Sequence, residues 1–140
     1  MEPAINTAPA ITAHQVDEKN RTRAVQRHAG PHVFYFETMI YAYLDGLCSD
    51  YDGGYWELYE LSNGGFYMTP PDTVSYEIRC PGNYYDGTVS ADTAGIIACL
   101  FAYGALWERT RDDRFIELIG LLKDFAAEHP DAAEIFSAID

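Results

Sequence analysis

Residues 51–70, with the sequence YDGGYWELYELSNGGFYMTP, constrain the fold more than any other part of the chain. The aromatic and aliphatic runs at residues 55–61 and 66–68 are typical of β-strands in a half-buried sheet. Between them, Asn63-Gly64 is the pair that best suits a two-residue turn with positive φ at both central positions. The segment therefore predicts a β-hairpin with a defined register. The expected cross-strand pairs are Leu61 with Phe66, Glu60 with Tyr67, and Tyr59 with Met68.

The rest of the chain predicts helices around a small antiparallel sheet. Ser90 or Asp92 is a suitable N-cap for a helix that is apolar on almost all sides, and this helix should form the centre of the core. In chain order, we predict a helix from residue 32, strands at 74–79 and 88–89, and helices at 92–107, from 112, and at 130–138. This order indicates an α+β fold in which an antiparallel β-meander of three or four strands packs against about four helices.

The length of 140 residues suits a single domain with its own hydrophobic core. Residues 1–30 are polar and Ala-rich without a sustained apolar stripe, which predicts a flexible polar leader that packs loosely. The α+β domain would then span residues 31–140. No apolar run is long enough to span a membrane, and the N-terminus lacks the pattern of a secretory signal, so we expect a cytoplasmic protein.

Charge excludes one broad class of function. The chain has 22 acidic and 9 basic residues, a formal net charge of −13. Direct binding to DNA or RNA needs clustered Lys and Arg side chains to neutralise phosphates, and the strongly acidic body would repel them. We therefore expect no direct nucleic-acid ligand.

Residue types that could support chemistry are present without a recognisable pattern. Three cysteines at wide spacing suit neither a disulfide framework nor a zinc site, and the histidines lack ligand spacing, so we predict no metal and no cofactor. A nucleophilic site would need Cys48 or Ser62 as nucleophile, with His28, His32 or His129 as base. A buried structural thiol and a turn-forming hydroxyl explain the two candidate nucleophiles more simply.

Tyrosine and tryptophan concentrate around the predicted hairpin. Aromatic side chains of this kind are enriched in the cores of protein interfaces. The simpler interpretation is that some of the rings pack against the helices with their hydroxyls reaching water. The candidate partner-binding surface consists of Tyr55, Trp56, Glu57, Tyr59, Glu60, Asn63 and Tyr67.

Three segments also carry a resemblance to a known family. They are GGYWELYELSNGGFYMTP in the hairpin, SADTAGIIACLFAYGALWE in the long helix and DFAAEHPDAAEIFSAID at the end of the chain. Together they resemble the ArdB/KlcA family of antirestriction proteins, which are carried mainly by plasmids and other mobile elements. The resemblance covers residues 34–140. The sequence departs from the family pattern at two places. Leu58 stands where an aromatic is expected, and Arg27-His28-Ala29-Gly30 keeps only the outline of the motif at the start of the family's domain.

The resemblance implies a small α+β protein without known enzymatic activity that relieves Type I restriction of incoming unmodified DNA. It implies no catalytic residues. Our main hypothesis is contact with a protein partner, either the Type I restriction-modification complex or an associated host factor, through the candidate surface. One alternative is an acidic DNA mimic, although the acidic residues are scattered rather than arranged in a row. A small cysteine-dependent hydrolase is the alternative from another class.

Overall fold

The computed structural model describes residues 10–140 as five strands and five α-helices. In chain order they are β1 (Ala13–Gln15), α1 (Arg21–Ala29), α2 (Val33–Leu47), β2 (Glu57–Leu61), β3 (Phe66–Thr69), β4 (Tyr76–Cys80), β5 (Tyr85–Val89), α3 (Ala91–Thr110), α4 (Arg114–Ala127) and α5 (Ala132–Ile139). The α+β class is confirmed, and the predicted helices and strands are present with shifts of a few residues at their ends. Within the described residues, no helix is both long enough and apolar enough to cross a membrane.

The N-terminal part of the chain is built into the fold, which differs from the expected leader. β1 pairs antiparallel with β2, and Val16 donates its backbone N–H to the carbonyl of Leu58 at 2.8 Å. α1 follows and buries Ala24, Val25 and Ala29. Loose packing is therefore wrong for residues 13–30, because a short strand and an amphipathic helix leave too few apolar positions to be recognised from sequence. Residues 1–9 of the predicted leader lie outside the described residues.

The hairpin between β2 and β3 forms as predicted, but its register is shifted by one residue. Glu60 lies opposite Phe66, Tyr59 opposite Tyr67, and Leu58 opposite Met68. The predicted register was wrong because the loop has three residues instead of two, and Leu61 donates its N–H to the carbonyl of Gly65. A shift of one residue exchanges the faces of the sheet to which side chains point.

The side chain of Asn63 explains why the longer loop forms. Its Oδ1 accepts the N–H of Gly65 at 2.9 Å, and its Nδ2 donates to the carbonyl of Leu121 in α4 at 3.0 Å. Gly64 supplies the positive φ, at 96°, and Asn63 does not need one. A three-residue loop with a left-handed third position is the next most common hairpin geometry after the two-residue turn. The contact with α4 therefore favours this loop over the two-residue turn.

The strands form two sheets instead of the single predicted meander. The first sheet has the order β1-β2-β3, and the second is the antiparallel hairpin β4-β5. Burial alternates along β4 as expected, with Tyr76, Ile78 and Cys80 buried and Glu77 and Arg79 exposed. β4 does not continue the first sheet because the outer edge of β3 is already covered by α3.

Helix α3 satisfies the backbone groups on that edge. The Tyr103 hydroxyl donates to the carbonyl of Phe66, and the Met68 N–H donates to Sγ of Cys99 at 3.4 Å. The backbones also approach closely, since a Cβ added to Gly95 would lie 2.2 Å from the carbonyl oxygen of Met68. An uncovered strand edge would leave these groups free to pair with another strand. Covering it with a helix ends the sheet at three strands.

Helix α3 is also the centre of the core, as predicted. Ser90 is its N-cap, with Oγ accepting the N–H of Thr93 at 3.2 Å. The helix buries residues on all sides over most of its length, and α2 and α4 pack against it. The cysteines Cys48, Cys80 and Cys99 are free and buried. Burial raises the pKa of the Cys99 thiol to about 12, which suits a structural side chain.

A pair of glycine substitutions in α3 tests the close approach to β3. We expect Gly95→Ala to lower the free energy of unfolding by about 1–3 kcal/mol, because the new methyl group overlaps the backbone of Met68. Gly104→Ala is the matched control in the same helix, since a Cβ there meets nothing within 4 Å. That control should raise stability by about 0.5–1 kcal/mol through helix propensity. Urea unfolding followed by circular dichroism measures both, and equal effects at the two positions would contradict the proposed contact.

Candidate partner-binding site

The structure divides the seven residues of the predicted surface into three groups. Trp56 and Tyr67 are buried, each with 2% of its surface exposed, so the expectation that they face a partner is corrected. Tyr55 is 55% exposed, and Glu57 and Tyr59 are partly exposed beside it. Glu60 and Asn63 lie elsewhere and contact α1 and α4. Neither buried ring forms part of the exposed surface, and Tyr67 supports it from below through Tyr59 and Asp92.

Tyr55, Glu57 and Tyr59 line a cleft of about 420 Å³. Other walls come from parts of the chain that are distant in sequence: β1, the loop between β3 and β4, and the start of α3. We call it the Tyr55 cleft and define it by Gln15, Tyr55, Glu57, Tyr59, Asp72 and Asp92. Sequence reasoning missed Gln15, Asp72 and Asp92. The Pro70-Pro71 pair after β3 was an available signal for a stiff loop carrying Asp72.

One wall of the cleft is the loop 70–75, which is held in place on two sides. The Tyr76 hydroxyl donates to the carbonyl of Pro71 at 2.6 Å. Gly54 packs on the same proline with φ at 117°, and a Cβ there would lie 2.5 Å from Cγ of Pro71. The lack of a side chain at Gly54 thus allows this positive φ and leaves room for the Pro71 ring. Because the loop is fixed by Tyr76 and Gly54, the cleft is formed before any partner arrives.

Tyr67 supports the cleft from below. Its ring stacks on Tyr59, with the centroids 5.2 Å apart and the planes at 18°. Its hydroxyl donates to Oδ1 of Asp92 at 2.6 Å. Burial, followed by this bond to Asp92, raises the pKa of Tyr67 far above its ordinary value, so the hydroxyl stays protonated and keeps donating. Tyr67 therefore positions one aromatic wall and one carboxylate of the cleft.

The second oxygen of Asp92 is bound by a histidine. His129 Nε2 lies 2.7 Å from Oδ2 of Asp92, and the Asp131 N–H donates to Nδ1 of His129 at 2.9 Å. Since Nδ1 accepts a hydrogen bond there, the network places the ring proton on Nε2, which donates to Asp92. Asp92 thus accepts from two donors, and its side chain stays 42% exposed at the cleft.

The cleft is electrostatically negative. Three of its defining residues are acidic, Glu57, Asp72 and Asp92, and no lysine or arginine lines it within the described part of the chain. Burial, followed by the carboxylates of Asp92 and Glu57, raises the pKa of Tyr59. Gln15 donates to Glu57 at 2.6 Å and orients that carboxylate. The arrangement can attract a cation and repel a phosphate.

Glu60 and Asn63, the remaining predicted residues, have structural partners. Glu60 binds Arg27 and also His28, whose Nε2 lies 2.7 Å away. Although burial acts in the opposite direction, hydrogen bonds from His28 and Arg27 lower the pKa of Glu60. Burial lowers the pKa of His28, whose ring stacks on Phe66 with the centroids 4.7 Å apart. Glu60 thus ties α1 to β2, while Asn63 ties the hairpin to α4.

The groups considered for nucleophilic catalysis do not come together. His28, His32 and His129 are bonded to Glu60, Asp112 and Asp92 respectively, and none is bonded to a candidate nucleophile. Cys48 is 1% exposed, and the Ser62 Oγ accepts the N–H of Thr12 at 2.9 Å. Among residues 10–140, no group of three or more His, Cys, Asp or Glu side chains is arranged to hold a metal ion. The geometry therefore favours the Tyr55 cleft as the candidate site.

Comparison with known proteins gives a consistent result. The antirestriction protein family model matches residues 49–140. The chain is 42% identical over 135 residues to an antirestriction protein KlcA of Escherichia coli, covering 93% of this chain and 95% of that protein. A second Escherichia coli KlcA is 40% identical, covering 93% and 94% of the two chains.

A solved structure extends the similarity to the fold. It superposes with a TM-score of 0.88 at 42% identity and covers 97% of this chain and 100% of the solved chain. It comes from work on the KlcA and ArdB proteins, described as showing a novel fold and antirestriction activity against Type I DNA restriction systems in vivo but not in vitro. The resemblance seen in the sequence and the α+β class are thereby confirmed, and the chain belongs to the antirestriction protein family.

Proposed function

We propose that this protein relieves Type I restriction of incoming unmodified DNA by binding a protein partner in the cytoplasm, without converting a substrate. Similarity to KlcA over nearly the whole chain supports the biological role. The Tyr55 cleft supports the mode of action, because it is a preformed concave surface with an exposed aromatic residue. Surfaces of this kind provide the anchoring pockets of protein interfaces.

The behaviour of the relatives bears on the identity of the partner. KlcA and ArdB show their activity in vivo but not in vitro. A component that is present in the cell and missing from a purified restriction reaction accounts for such a difference. We therefore favour a host factor associated with the restriction-modification complex over the isolated complex as the partner of this protein.

Several acidic side chains have internal partners, which weakens the alternative of DNA mimicry. Asp112 binds Arg114 and His32, and Glu60 binds Arg27 and His28. Hydrogen bonds from Arg114 and His32 lower the pKa of Asp112 to about 2. A mimic of duplex DNA would instead present its carboxylates to the partner at phosphate-like intervals. Because the net charge is −13, DNA mimicry is the second candidate for the mode of action.

The biological proposal is tested by plating unmodified phage on a host with an active Type I system. Expression of this protein should raise the plating efficiency toward that of a host lacking restriction, because incoming DNA would escape cleavage. The same phage on the non-restricting host gives the control for general effects on growth. Equal plating with and without the protein on the restricting host would contradict the proposal.

The proposed surface is tested by replacing one exposed ring. We expect Tyr55→Ala to reduce protection about tenfold, since truncating a tyrosine anchor removes about 1–2 kcal/mol of binding energy. Phe34→Ala is the matched control, because Phe34 is 83% exposed and lies outside the cleft. Circular dichroism of both purified variants verifies that they fold. If the Phe34 variant loses protection and the Tyr55 variant keeps it, the functional surface lies elsewhere.

A further inference from the structure

We infer that the Tyr55 cleft binds an extended segment of the partner that carries arginine or lysine side chains. This inference rests on the proposed function and names the chemistry of the partner at that site.

The negative charge of the cleft favours an occupant with positive charge. Glu57, Asp72 and Asp92 line the cleft, and within the described residues no Lys or Arg lines it; Arg21 lies on the Tyr55 ring beside it. Gln15 and Tyr67 orient two of these carboxylates through hydrogen bonds, so they are held in place to receive a donor. Charge-assisted bonds from guanidinium or ammonium groups to carboxylates are stronger than neutral hydrogen bonds. An anionic or phosphate-bearing ligand would be repelled from the same position.

Aromatic rings add a second attraction for a cation. Tyr55 and Tyr59 lie beside the carboxylates, and a guanidinium over a tyrosine ring is attracted by the ring's negative face. The chain itself makes one such contact, with the Arg21 guanidinium 4.4 Å from the centroid of the Tyr55 ring. Tyr55 remains 55% exposed despite this contact. Rings and carboxylates together favour arginine over lysine, because the planar guanidinium both stacks and forms paired hydrogen bonds.

Rigidity makes the cleft a preorganised receptor. Tyr76 and Gly54 fix the wall at Pro71, and Tyr67 fixes Tyr59 and Asp92. Little side-chain freedom is therefore lost on binding, which leaves more of the interaction energy for affinity.

The site continues beyond a single side chain. A neighbouring cavity of about 400 Å³ shares Asp72, Ala91 and Asp92 with the Tyr55 cleft and is also lined by Val74, which is 58% exposed. Within the described residues, no Lys or Arg lines this second cavity either. Through these shared residues the two cavities adjoin as one longer groove, with Tyr55 lining one part and Val74 the other. An extended peptide segment fits such a groove better than an isolated amino acid.

The experiment uses the full chain and a defined probe. The ¹⁵N-labelled protein is titrated with acetyl-Gly-Arg-Gly-Arg-Gly-amide and, separately, with the same peptide carrying citrulline, a neutral analogue of the same shape, at each arginine position. We expect saturable amide shifts at Tyr55, Glu57, Tyr59 and Asp72 with the arginine peptide. Its affinity should exceed that of the citrulline peptide by at least about fivefold. Equal affinities, or shifts confined to another surface, would overturn the inference.

Matched variants separate a specific site from the general negative field. Glu57→Gln with Asp72→Asn keeps size and hydrogen bonding at the cleft, and should weaken binding of the arginine peptide by about fivefold. Asp45→Asn with Asp124→Asn removes the same charge at two exposed positions outside both cavities, and should leave the affinity unchanged. Asp92 is left intact because it also holds Tyr67 and His129. Equal weakening by the two double variants would overturn a specific site.

The phage assay keeps failure of this inference distinct from failure of the proposed function. Protection by the wild type, with no binding of the arginine peptide in the cleft, would overturn the inference and leave the function standing. Absence of protection by the wild type would overturn the function whatever the peptide does. Protection that falls in the Glu57/Asp72 variant and persists in the Asp45/Asp124 variant would support both.

Discussion

Backbone groups on the outer edge of β3 meet side chains of α3, and much of the architecture follows from this contact. The carbonyl of Phe66 and the N–H of Met68 are satisfied by Tyr103 and Cys99. Buried backbone groups without partners cost folding free energy, so the helix substitutes for a further strand. Gly95 allows the two backbones to approach closely enough for these bonds to form. The sheet accordingly ends at β3, and β4 and β5 form a separate hairpin.

The same contact places the candidate site. Because β3 runs along α3, the chain that leaves β3 passes the N-terminus of that helix, where Asp92 lies. The loop carrying Asp72 must then turn away to reach the second sheet, and Tyr76 and Gly54 hold it beside Tyr55. The cleft is thus a gap between the first sheet, the loop that follows β3 and the start of α3, lined by parts of the chain that are distant in sequence.

Aromatic residues in this protein have two separate roles. Trp56 and Tyr67 are part of the core, and each places its polar atom on a specific partner, Tyr51 and Asp92 respectively. Tyr55, in contrast, offers its ring to solvent at the rim of the cleft. A tyrosine-rich segment can therefore contribute to the core and to the exposed surface at once, because even the neighbours Tyr55 and Trp56 differ in burial.

Local patterns in the sequence were enough to predict the hairpin strands, the alternation along β4, the Ser90 cap and the apolar helix after it, since each depends on residues close together in the chain. The register was decided by the bond from Asn63 to Leu121, and the division into two sheets by α3 covering β3. Pairing of β1 with β2 and the burial of Trp56 and Tyr67 also required contacts between distant residues.

The tyrosines, glutamates and glycines of the hairpin were visible in the sequence. Only the tertiary structure decided which of them are exposed at the cleft and which acidic residues join them, because a cleft exists only where separate segments meet.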